Sequence, residues 1–143
     1  MLSAESICRL MPHAGSMCLI EKLLQWDDES ILCSTQSHLR NDNPLRKQDR
    51  LNAIHAAEYG AQAMALHGGL LAQRSGNTTT AGLLVSLRGV KLYRQRLDDT
   101  KAPLLIFARQ LLADGGNLLY AFRLTLSDSP VAEGKAAVIA HKE

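Results

Sequence analysis

A chain of 143 residues with 46% hydrophobic content suits one domain built round one core, and a second domain is not expected. Sixteen Lys and Arg against fourteen Asp and Glu leave a formal charge of only +2, and aromatic residues make up 4%. Neither a phosphate-neutralising face nor a base-stacking platform follows from that, which argues against nucleic acid as a partner. Cys8, Cys18 and Cys33 form an odd set with no CxxC and no Cys/His pair at zinc spacing, so they read as small buried side chains of a reducing cytoplasm, with neither disulfide nor zinc expected. Glu5, Arg9 and His13 interrupt the first fifteen residues, so no secretory signal is expected there.

Ser3 to Leu10 suits a short amphipathic helix that Pro12 and Gly15 would stop. Met17 to Gln25 and Ser30 to Ser37 have strand length, and the polar Asp27-Asp28-Glu29 between them makes a hairpin. From His38 to Leu51 the composition turns to Asn, Asp, Arg, Lys and Gln, a long polar loop of the kind that often carries function. Ala53 to Leu71 is almost wholly apolar or small, yet His55, Glu58, Gln62 and His67 interrupt it, which fits a buried soluble helix better than a membrane span. Four strands follow, Ala81 to Tyr93, Leu104 to Ala113, Leu118 to Leu126 and Val131 to His141, in expected meander order. A helix apolar on nearly all sides must be covered on nearly all sides, and the only cover available is β-structure. The expected class is therefore α+β, a curved antiparallel sheet wrapped around one long helix.

Glu58 and Gln62 lie four residues apart and so share one helix face, with His55 three residues before Glu58 on the same stripe. Burying a carboxylate is costly unless it is hydrogen-bonded or protonated. One account is a structural hydrogen bond. The other is acid/base chemistry, because apolar surroundings raise a carboxyl pKa, in known cases to roughly 6, and let it donate a proton near neutrality.

The run LMPHAGSMCLIEKLLQW, followed by AEYGAQAMALHGGLL, resembles the bacterial 3-hydroxyacyl-acyl-carrier-protein dehydratases, whose central helix carries an acid followed four residues later by Gln. More narrowly, SHLRNDNPLRKQDRLNAIHAAEYGAQAMALHG is similar to the divergent dehydratase-like proteins of aryl-polyene pathways. The resemblance implies a hot-dog fold and a dimer or higher oligomer, or a heteromer with another hot-dog subunit. It also implies an acyl chain delivered on the phosphopantetheine of an acyl carrier protein, and loss of water from a 3-hydroxyacyl thioester without metal or redox cofactor. By position Glu58 takes the role of the acid that helps the hydroxyl leave, and Gln62 a supporting one.

The family's base is a histidine in a Gly-His-Phe-Pro loop about fourteen residues before the helix acid, but Asn43 to Arg50 contains neither histidine nor glycine. His38, at the mouth of that loop, is the preferred replacement, although a solvated loop histidine would look the same. His55 and His13 are further candidates to touch the substrate, with structural contacts the plainer account of each. DNPLR resembles part of an enoyl-thioester hydratase motif but has Arg46 where that motif has histidine; Asn43 holds either the loop or the thioester. Arg88, Lys91, Arg94 and Arg96 suggest a docking patch for an acidic carrier, or simply a solvated edge. Two other outcomes remain open, since hot-dog thioesterases also use a helix carboxyl and the missing loop histidine suits a non-catalytic partner subunit.

Overall fold

The computed structural model describes residues 3–10, 17–76 and 81–141. Helix α1 (Ala4–Arg9) is capped by Ser3, whose side chain accepts from the Ser6 N–H. Strands β1 (Lys22–Trp26) and β2 (Ser30–Thr35) form the expected hairpin. The carboxylate of Asp27 organises its turn by accepting from the Glu29 and Ser30 N–H groups. The central helix α2 (Ala56–Arg74) is followed by β3 (Ala81–Leu92), β4 (Leu104–Asp114), β5 (Asn117–Leu126) and β6 (Ser129–His141).

All six strands pair antiparallel in the order β1-β2-β4-β5-β6-β3. The chain order after α2 is thus not a simple meander. Strand β3 leaves the helix for the far edge and pairs with β6, while β2 and β4 become neighbours. Short polar links favour sequential pairing, and here the connection across α2 overrides it.

Alternation decides which side meets the helix. Leu104, Ile106 and Ala108 on β4 and Tyr120, Phe122 and Leu124 on β5 are buried, with exposed or half-buried residues between them. Against this face α2 lays Tyr59, Gly60, Ala63, Met64, Leu66, His67 and Leu70, all buried. Helix and sheet approach closely at Gly60, where a Cβ would stand 2.9 Å from the Phe122 ring. Among the described residues no helix is long and apolar enough to cross a membrane.

Two expectations about the N-terminal region change. The first strand starts at Lys22 rather than Met17, because residues 17–19 are engaged by α2 instead of by a neighbouring strand. Cys8 and Cys18 form a disulfide, with Cα atoms 5.8 Å apart. Their pairing comes from the packing of α1 beside the entry to β1, which the spacing of cysteines along the chain does not encode. Cys33 is the buried apolar residue expected, and burial pushes its thiol up to about 12.

Candidate functional site

The residues from β2 into the polar loop converge on the first two turns of α2. The α-helix begins at Ala56, not Ala53; residues Ala53–His55 form a 3₁₀ turn whose start is capped by Asn52, which accepts from the Ile54 N–H at 2.9 Å. His55 sits before the helix, half-buried in a groove of about 940 Å³ that also holds Lys47, Arg50, Tyr93, Arg94 and Arg96. Glu58 falls in the first helical turn and is half-buried, where the positive end of the helix dipole suits a carboxylate without any catalytic role.

Gln62 is fully buried and spends both ends of its amide on backbone. Its Oε1 accepts from the Leu19 N–H at 2.7 Å and its Nε2 donates to the Met17 carbonyl at 2.6 Å. This clamps the segment before β1 onto α2 in place of a strand ladder. The Leu19 carbonyl in turn accepts from Thr35 Oγ1 at 2.6 Å and Ser37 Oγ at 2.7 Å. Tyr59, wholly buried, brings its hydroxyl within 3.1 Å of Ser37 Oγ and takes a hydrogen bond from Asn43 Nδ2 at 3.1 Å. Asn43 also donates to the Ser37 carbonyl and accepts from the Leu45 N–H, both at 2.9 Å. It therefore holds the loop, with its amide committed to protein groups.

Arg46 orders the rest of that loop. Its guanidinium donates to the His38, Arg40 and Asp49 carbonyls and to Asp98 at 3.1 Å. Asp98, held from the other side by Arg96 at 2.8 Å through both nitrogens, has a carboxyl depressed to about 2, with the Arg96 hydrogen bonds the largest cause. The histidine that the hydratase-like motif would need at position 46 is thus replaced by a structural cation.

His38 is buried completely. One ring nitrogen, Nε2, lies 2.9 Å from the Ala102 carbonyl, which can only accept, so Nε2 carries the hydrogen and Nδ1 keeps a lone pair. Burial is the main cause that lowers its pKa, so the ring is neutral at neutral pH. Nδ1 has no hydrogen-bond partner, and neither have the buried Nε and Nη2 of Arg40 two residues on. Buried polar atoms without partners are rare in native proteins, and all three of these lie on the short stretch that follows β2. Asp42 stands 3.6 Å from Arg40 Nε, at salt-bridge rather than hydrogen-bond distance. His13 lies outside the described residues.

His67, near the far end of α2, is also fully buried: Nδ1 meets the Tyr120 hydroxyl at 2.7 Å and Nε2 the Asp27 carbonyl at 2.8 Å. It ties the helix to the β1–β2 turn and to β5. Arg88, Lys91, Arg94 and Arg96 do not form one patch. The first two line a groove on the outer sheet face, whereas Arg94 and Arg96 line the groove of His55 and pair with Asp99 and Asp98. Tyr59, Ser37 and Arg40 are not singled out by the sequence; the one signal is a polar tip, Tyr59, inside an otherwise apolar helix. Among the described residues no group of three or more His, Cys, Asp or Glu is placed to hold a metal.

Comparison with known proteins gives one family and a set of similar folds. The family model of the ApeP dehydratases, ApeP-like, matches residues 5–143. The dehydratase heterocomplex ApeI:P from Xenorhabdus doucetiae superposes with a TM-score of 0.87 at 21% identity, covering 100% of this chain and 93% of that one. A hypothetical thioesterase with coenzyme A from Streptococcus pneumoniae gives 0.63 at 10% identity, over 85% of this chain and 86% of that one. The protein smu.793 from Streptococcus mutans, bound to acetyl CoA, gives 0.63 at 10% identity, over 85% and 89%. No curated protein matches the sequence.

Proposed function

The chain belongs to the ApeP-like dehydratase family and has the hot-dog fold, and from that premise we propose that it acts on 3-hydroxyacyl thioesters of an acyl carrier protein, removing water to give 2-enoyl thioesters. The observation that carries this reading is the unpartnered Nδ1 of His38, a lone pair held by the Nε2 bond to Ala102, in the stretch that packs on the first turns of α2. In the proposed reaction that nitrogen takes the proton from C2, the C2–C3 double bond forms, and the C3–O bond breaks. Glu58 supplies the proton to the departing hydroxyl, which leaves as water. Tyr59, Asn43 and Gln62 are positioning residues. They fix the segments that carry the reacting groups, and the proposed chemistry uses neither a metal nor a redox group. The acyl group travels on the carrier's phosphopantetheine.

A second reading is favoured by the complete cover over His38. In it this chain contributes Glu58 and a second hot-dog subunit contributes the base, so that activity belongs to a heteromer. The resemblance of the fold to one subunit of a dehydratase heterocomplex supports keeping it.

The test is turnover of a carrier-borne 3-hydroxyacyl thioester by the chain alone and mixed with a companion hot-dog subunit. Glu58→Gln should lower turnover by about a hundredfold or more in either setting. His38→Gln should do so only under the first reading. Release of free thiol from a saturated acyl thioester would instead identify a thioesterase.

A further inference from the structure

The outer face of the sheet, turned away from α2, carries two cross-strand rows. In one, Leu32 stands opposite Phe107, Phe107 opposite Arg123, Arg123 opposite Glu133 and Glu133 opposite Lys91. In the next, Ser30, Arg109, Ala121, Lys135 and Arg88 are matched in the same way. A groove of about 740 Å³ runs between them, flanked by the exposed Phe107 and Leu111.

Its charge is lopsided. Arg88, Lys91, Arg109, Arg123 and Lys135 face it with Glu133 as its lone carboxylate among the lining residues, in a chain whose formal charge is only +2. Glu133 already accepts from the Tyr93 hydroxyl. Arg109 has Glu29 at 3.8 Å, but both are exposed and such pairs contribute little. Arg88 stands directly opposite Lys135, a like-charge pair that weakens the sheet unless something anionic offsets it.

We propose that this groove docks the acidic surface of the carrier protein that brings the thioester, an inference that rests on the dehydratase reading above. Two features favour a protein over other anions. The apolar side chains form walls of a groove rather than a flat projecting face, as a bilayer would need, and Phe107 is the one exposed aromatic there, too few for stacking bases. The groove also adjoins that of His55, the residue immediately before α2. Lys91 lies in it, while Leu92, Tyr93 and Arg94 line the groove of His55, three residues or about 10 Å further along the chain. A carrier seated on the outer face can pass its arm over the end of β3 toward the first turn of α2. Pairing of another strand on the β3 edge would use backbone groups and leave the outward side chains of Arg88 and Lys91 clear.

The experiment measures binding of a purified acidic carrier protein, loaded with a 3-hydroxyacyl group, to the full chain and to Arg123→Glu/Lys135→Glu, by fluorescence anisotropy at low and high salt. The double variant should lose about tenfold or more in affinity, Arg123→Gln about threefold, and the wild-type affinity should fall with salt. Replacing acidic carrier residues by Lys should recover binding to the double variant. An unchanged carrier affinity overturns the proposal, as does loss of binding only to vesicles of anionic lipid. Circular dichroism and the unfolding midpoint confirm that the surface variants fold. Because binding is read without turnover, failure of docking is separate from failure of the dehydratase reading, which a soluble pantetheine thioester tests.

Discussion

At the scale of single residues, Gln62 shows how a side chain can be essential without touching substrate. Gln62→Ala leaves the Leu19 N–H and the Met17 carbonyl buried and unpaired, and should destabilise the chain by about 2–4 kcal/mol in urea unfolding. A loss under about 0.5 kcal/mol would mean that water or a backbone shift replaces the clamp. The sequence marks Gln62 as notable because an amide in an apolar helix needs partners. It does not say that the partners are backbone groups 43 and 45 residues earlier, since those contacts arise only when the chain closes on the helix. His38 is legible as a candidate by its place after β2, but its burial is not, because a polar loop disguises a covered side chain. His38 and His67 also set a pH dependence. Burial holds both pKa values below the ordinary 6.5, so below that pH the unfolded chain binds more protons than the folded one. Their contribution is complete above pH 6.5 and is lost as pH falls through the folded values. The urea midpoint should therefore drop between about pH 6.5 and 5, and His67→Phe should flatten part of that slope; a midpoint that stays level in both proteins would contradict the burial of these rings.

At the scale of elements, the six strands and central helix are legible because period-two alternation and one long apolar run leave few alternatives. The start of α2 is not. Ala53 and Ile54 are as helix-compatible as the residues of the helix itself, and Asn52 capping a 3₁₀ turn delays the α-helix by three residues, so that His55 precedes the helix that carries Glu58 and Gln62. The distance between helix and sheet depends on Gly60. Gly60→Val would press methyl groups into Phe122 and should cost about 1–3 kcal/mol, read as a lower urea midpoint with an unchanged denaturant slope. The pairing of Cys8 with Cys18 closes a short loop of sequence separation 10 and fastens α1 to the entry of β1. Chain-entropy reasoning gives such a link about 2–3 kcal/mol, so Cys8→Ser should lower stability by that order, and added reductant should do the same to the wild type but nothing to the variant.

At the scale of the whole molecule, the sheet ends on a strand that its own helix covers only in part. Leu87 stands opposite the buried Ala136, and Leu92 opposite the buried Ala132, so both belong to the face that meets α2. Yet Leu87 is 41% and Leu92 44% exposed. With Val85 and Val90 they make β3 a long apolar edge strand, which soluble proteins shield by pairing or cover. Strand order places this edge beside the end of β3 that lines the groove of His55, so a subunit paired there would lie next to that groove. The chain should accordingly associate in solution, with itself or with another hot-dog subunit, and its thermal midpoint should rise with protein concentration. Leu87→Lys puts an ammonium into that contact without disturbing the pairing of β3 with β6. It should shift sedimentation to the monomer mass and make the midpoint independent of concentration. If Leu87→Lys sediments as the wild type does, subunits meet elsewhere, and the base missing from the loop cannot be supplied across β3.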